Sequence, residues 1–158
     1  MPVDCTVNGE ERRIDRHPLT PLSTVLREDL HLTGAKVSCA EGFCGSCIVL
    51  VDDAPAVSCL LPLAHVEGRS IRTVESLADA DGLSPLQRAF KAHDAVQCGM
   101  CFPGVLMSLT ALLERLPEAT EADVRAQLVG NICRCTGYDR IVAATLDAAR
   151  AGRNEVAP

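Results

Sequence analysis

Eight of the nine cysteines in this 158-residue chain fall into two quartets, Cys39, Cys44, Cys47 and Cys59, then Cys98, Cys101, Cys133 and Cys135. A chain that must gather four thiols twice over needs two cysteine-bearing loops, each held beside a packed segment. In the first quartet four residues separate Cys39 from Cys44 and two separate Cys44 from Cys47, the spacing of a plant-type ferredoxin loop around a [2Fe-2S] cluster. Such a cluster needs four thiolates converging on two irons, so one curled loop supplies three and a neighbouring segment the fourth. Cys59 is placed to be that fourth ligand. Gly42 and Gly45 lie between the ligands, where residues that reach positive φ cheaply let backbone N–H groups approach the sulfurs.

The second quartet is two close pairs, Gln97-Cys98-Gly99-Met100-Cys101 and Asn131-Ile132-Cys133-Arg134-Cys135, with 31 residues between Cys101 and Cys133. Two short turns meeting in space would hold a second cluster, and spacing alone also admits a structural zinc on four cysteines. Disulfides fit poorly with an odd cysteine count and ligand-type clustering. Cys5 stands apart in Val3-Asp4-Cys5-Thr6-Val7, whose alternation is that of a half-buried strand, and reads as a small buried hydrophobe.

A net charge of −6, four aromatics (Phe43, Phe90, Phe102 and Tyr138) and the lack of any basic run leave no footprint for nucleic acid. Asp4, Glu10, Glu11 and Arg12 interrupt the first dozen residues, so no signal core is expected there. The longest apolar run, around Ile48 to Val51, is far short of a membrane span, and a cytoplasmic protein is expected. No Ser-His-Asp set or carboxylate pair nominates itself for catalysis. His17, His31, His65 and His93 are scattered without ligand spacing.

Periodicity divides the chain in two. Residues 3 to 7, the turn signal Asn8-Gly9 and a return to about residue 16 read as a hairpin, followed by a helix from Leu22 to Leu30 with Thr20 and Pro21 making its cap and first turn. Cys47 to Val51 and Ala56 to Cys59 form a second hairpin across Asp52-Asp53, and Ser70 to Thr73 a last strand. Ser84-Pro85-Leu86-Gln87 then joins an N-cap, a first-turn proline and a capping-box glutamine, opening a helix to about His93. Leu106, Leu109, Leu113 and Leu116 mark a second helix from Pro103, Thr120 with Asp123 caps a third, and residues 138 to 150 supply a fourth. The pairs then sit at the start of the second helix and just before the fourth, at one end of a small bundle. The expected organisation is a domain over 1–76, a linker over 77–83 with the boundary near Asp79 to Gly82, a helical domain over 84–150 and a mobile tail over 151–158.

Cys-Gly-Met-Cys-Phe-Pro-Gly (98 to 104) and Gly-Asn-Ile-Cys-Arg-Cys-Thr-Gly-Tyr (130 to 138), preceded by the plant-type loop, closely resemble the small iron-sulfur subunit of the xanthine oxidase family of molybdenum hydroxylases. The likeness runs from about residue 3 to about residue 150. It implies an α+β chain, with a β-grasp plant-type ferredoxin domain followed by a four-helix bundle, each holding one [2Fe-2S] cluster. It further implies a hetero-oligomer. A large subunit would carry a molybdenum-pterin cofactor, and electrons would leave through this chain to an FAD subunit or another acceptor. Gln97 matches a glutamine that hydrogen-bonds the pterin, and Cys135 a ligand whose sulfur approaches the pterin amino group. The cluster of Cys98, Cys101, Cys133 and Cys135 would be the one proximal to the pterin.

Three positions depart from the family pattern: Ser38 and Asp53 stand where glycine is common, and Phe102 where threonine is usual. None removes a ligand. Two other readings compete with the electron-transfer subunit: a stand-alone two-cluster ferredoxin, and an adaptor whose helical half is a zinc-stabilised module.

Overall fold

A computed structural model describes residues 2–78 and 82–156. Strands β1 (Val3–Val7) and β2 (Glu10–Ile14) turn on Asn8 and Gly9, at φ 51° and 84°, the left-handed pair that a two-residue hairpin loop requires. Strands β3 (Ile48–Val51) and β4 (Ala54–Val57) turn in the same way on Asp52 and Asp53, at φ 49° and 63°. Aspartate thus tolerates the left-handed geometry usual for glycine. Strand β5 (Ser70–Arg72) enters between the hairpins, parallel to β1 and antiparallel to β3. The resulting mixed sheet has the order β2-β1-β5-β3-β4.

The helix expected over Leu22 to Leu30 is one α turn, α1 (Leu22–Thr24), widened into a π-helical segment over Val25–Asp29. Thr20 does not cap it: Pro21 occupies the cap position without a side-chain bond. The N–H groups of Leu22 and Ser23 donate instead to the carbonyls of Leu61 and Ser58, at 2.8 and 3.0 Å. A packed neighbouring segment has replaced the local cap. Leu22, Val25 and Leu26 lie beneath the sheet against Val3, Val7, Val49 and Ile71, and Cys5 is buried in the same core, as its strand pattern suggests.

Strand β3 is buried along its whole length, which explains its unbroken apolar run. Val49 and Val51 face the α1 core, whereas Ile48 and Leu50 face Met107 and Ala111 of a helix on the other side of the sheet. That helix is α3 (Phe102–Arg115), one of four in the second half with α2 (Pro85–Ala92), α4 (Glu121–Gln127) and α5 (Asp139–Val156). Both capping boxes are present: Ser84 with Gln87, and Thr120 with Asp123. The Thr120 hydroxyl and N–H hold the Asp123 carboxylate below its ordinary pKa. Helix α5 continues to Val156 and takes in most of the segment expected to be a tail from residue 151.

Residues 79–81, at the expected boundary, lie outside the described residues. On its N-terminal side Val74 and Leu77 pack against both the helical core and the Met107 contact. Arg72 of β5 forks onto the Glu114 carboxylate of α3 at 2.8 and 3.1 Å. The two halves therefore share a buried seam. No helix among the described residues is long and apolar enough to cross a membrane.

Met107 is fully buried in that seam. Met107→Ala is expected to cost about 2–5 kcal/mol, and to lower a single unfolding transition common to sheet and helices. Circular dichroism and cluster absorbance, followed together through a urea titration, check this; separate midpoints would mean independent domains.

Candidate metal centres

The first cysteine loop curls through Ala40, Gly42 and Gly45, all left-handed at φ 55°, 81° and 73°. This turns its N–H groups inward onto sulfur. The Glu41 N–H donates to Cys39 Sγ at 3.4 Å, those of Cys44 and Phe43 point at the same atom, and the Gly42 N–H reaches Cys59 Sγ. These donors, led by Glu41, lower the Cys39 thiol to about 6. Burial, then contact with Cys47, pushes Cys59 up to about 11. Strand β4 leads directly to Cys59, so the hairpin brings the fourth thiol to the loop.

In the second centre Cys101 immediately precedes α3, while Cys133 and Cys135 lie in the turn that precedes α5. The expected gathering at one end of the helices is observed. Cys98 is lowered by the Met100 N–H and the Cys135 thiol, and Cys101 is raised to about 12 by burial and Cys133. Burial opposes the thiolate of Cys133, yet the Thr136 hydroxyl and N–H, the Cys135 N–H and the Cys101 thiol together lower the thiol.

Each quartet resolves into two contacting pairs: Cys39 with Cys44 and Cys47 with Cys59, then Cys98 with Cys135 and Cys101 with Cys133. Two pairs per centre is the donor set of two irons with two thiolates each. The residues fit a [2Fe-2S] cluster at each site.

The two loops touch. The Ile132 N–H donates to the Cys44 carbonyl at 2.9 Å, and the buried Asn131 amide donates to the Gly45 carbonyl at 3.3 Å. A Cβ on Gly104 would lie 1.9 Å from the Gly45 carbonyl oxygen, and one on Gly45 would lie 2.1 Å from that of Gly130. Gly104 is helical, and its role in close approach is not visible in the sequence. Asn131, Thr136 and Tyr138 were also not singled out as individual groups. The Tyr138 hydroxyl accepts from the Cys133 N–H at 2.8 Å and donates to the Asn131 carbonyl at 3.0 Å. Residues within two or three positions of a ligand are the signal that could have found them.

Gln97 is exposed and lines a small cleft with Cys98, Cys101, Cys133 and Cys135. It lies beyond the end of α2, whose cap is His93, and so does not cap that helix. Arg134 is exposed between Cys133 and Cys135. Phe102 tilts against Phe90 with ring centroids 5.6 Å apart. His93 pairs with Asp147 of α5.

A sheet with a plant-type loop, joined to helices with a second paired-cysteine centre, defines a two-cluster iron-sulfur protein. Family models agree: residues 5–71 match a 2Fe-2S iron-sulfur cluster binding domain and residues 73–146 a [2Fe-2S] binding domain. The nicotine 6-hydroxylase small subunit of Paenarthrobacter nicotinovorans is 51% identical over 146 residues, covering 92% of this chain and 88% of that protein. The xanthine dehydrogenase iron-sulfur-binding subunit of Escherichia coli is 45% identical over 147 residues, covering 92% of each. Quinoline 2-oxidoreductase from Pseudomonas putida 86 superposes with a TM-score of 0.93 at 41% identity, covering 98% of this chain and 96% of that one. The chain belongs to the small iron-sulfur subunits of the xanthine oxidase family of molybdenum hydroxylases. Its fold is the β-grasp ferredoxin followed by the helical cluster domain.

Gly104→Ala is expected to destabilise the cluster-loaded protein by about 1–3 kcal/mol through overpacking, because the contacted atom is backbone and cannot swing aside. Gly130→Ala, whose Cβ meets nothing within 4 Å, should stay close to wild type. Thermal unfolding of both variants, with iron content as a second readout, checks the contrast.

Proposed function

We propose that this chain carries electrons singly, in the cytoplasm, from a molybdenum-pterin cofactor in a large subunit to an FAD subunit or another acceptor. Cys39, Cys44, Cys47 and Cys59 hold one [2Fe-2S] cluster, and Cys98, Cys101, Cys133 and Cys135 hold the other. A thiolate-bound cluster of this type takes up and returns one electron at a time. The observation that carries the reading is the hydrogen bond from the Ile132 N–H to the Cys44 carbonyl, which joins the two ligand loops directly.

Exposure supports an order of use. Cys98 and Cys135 are the exposed pair of the helical centre, whereas Cys133 is buried and Cys101 half-buried toward the seam. The exposed edge, with Gln97 beside it, suits the pterin-bearing partner. The Gln97 amide offers both a donor and an acceptor to a pterin edge. Phe43 and Leu60 are exposed around the first loop and offer an apolar rim to the electron acceptor. Nicotine, xanthine and quinoline, in the names of the three relatives, are nitrogen heteroaromatics, and we assign the substrate of the complex to that class.

The test is to isolate the chain with its co-purifying partners, quantify iron, zinc and molybdenum, and record low-temperature EPR after reduction. Four irons in two distinct [2Fe-2S] signals, with molybdenum in a larger subunit, is the expected result. Four irons without a partner would mean a free ferredoxin, and two irons with one zinc an adaptor. Cys135→Ser should alter or abolish one signal and spare the other; loss of both would contradict two separate centres.

A further inference from the structure

Thr136 Oγ1 lies 3.1 Å from Cys133 Sγ and 3.2 Å from the backbone nitrogen of Tyr138. The Tyr138 N–H can only donate, so it occupies a lone pair of the hydroxyl oxygen. A ligating Cys133 is a thiolate that can only accept, so the hydroxyl hydrogen then points at sulfur. Tyr138 is itself fixed: its backbone is left-handed at φ 70°, and its hydroxyl bridges the Cys133 N–H and the Asn131 carbonyl. The Thr136 hydroxyl is therefore an oriented dipole, set against a buried sulfur that water reaches poorly.

We infer that Thr136 is a positioning residue for electron transfer, whose hydroxyl, aimed at Cys133 Sγ by the Tyr138 N–H, raises the midpoint potential of the helical-domain cluster. Reduction adds one electron from the reductant to the cluster, and part of its charge appears on the ligand sulfurs. A hydrogen bond to a charged acceptor strengthens as that charge grows, so the donor favours the reduced state. No bond breaks and no proton moves, because the hydroxyl hydrogen stays on Thr136. The inference rests on Cys133 being a cluster ligand.

EPR-monitored titration of the complex with dithionite tests it. Thr136→Val keeps the shape and removes the hydroxyl. It should lower the reduced-to-oxidised ratio of the helical cluster about tenfold at a fixed potential, about 59 mV for one electron. The plant-type cluster should stay where it is, and Thr136→Ser should restore the wild-type value. An unchanged midpoint, an equal shift in both clusters or failure of serine to restore it would overturn the inference. Should valine cost the cluster, Thr136→Ala is titrated in its place; loss of the helical signal in both would assign the hydroxyl to holding the loop and overturn tuning. Cys133→Ser separates the premise: an unaltered helical signal there would remove Cys133 from the ligand set.

Discussion

The approach of Gly45 to Gly104 and Gly130 governs how the rest of the chain can pack. No Cβ fits at Gly45 or Gly104, because backbone carbonyl oxygens would stand 2.1 and 1.9 Å from it. With the loop pressed on the first turn of α3, the helix runs across the back of the sheet, and Met107 and Ala111 meet Ile48 and Leu50. Strand β3 is then buried on both faces, and Arg72 comes within reach of Glu114. A short loop contact and a long apolar seam thus impose the same relative placement on the two halves.

Eight thiols gathered in two small volumes set an electrostatic problem, and this chain meets it with backbone rather than with basic side chains. Inward N–H groups serve Cys39, Cys98 and Cys133, the last joined by the Thr136 hydroxyl, and these are the thiols that are lowered. Their partners Cys59 and Cys101 are pushed the other way, to about 11 and about 12, by burial and by the neighbouring sulfur. A thiol must lose its proton to become a cluster ligand. Loading therefore releases protons and is favoured as pH rises. Of the left-handed residues that turn those N–H groups inward, Gly42 and Gly45 adopt the geometry cheaply and Ala40 alone carries its strain.

Much of this was legible because ligand spacing, turn dipeptides and capping boxes are local codes. Asn8-Gly9, Asp52-Asp53, Ser84 to Gln87 and Thr120 to Asp123 each appear as read. What escaped was decided at a distance. Thr20 lost its cap to carbonyls of Leu61 and Ser58, forty residues on, and the helix behind it widened into a π form. Gly104 sits in the first turn of α3 without a left-handed φ, and nothing local marks it as a contact point. Helix α5 passed residue 150 because Ala148 and Ala149 are buried near its end, so packing extends it past the last strong periodic signal.

Burial is graded along the molecule in the order electrons would use it. The Cys98 and Cys135 pair is open at one end, Cys133 and Cys44 are buried at the seam, and Cys39 is half-exposed at the other. Between the buried sulfurs run only the Cys44 carbonyl, the Ile132 N–H and one peptide link to Cys133. Tyr138 holds that link at both ends, on the Asn131 carbonyl and the Cys133 N–H. Side chains of this chain can thereby fix the distance between the two centres. A rigid spacing matters more here than a shaped cavity, since an electron, unlike a substrate, needs no pocket to bind in.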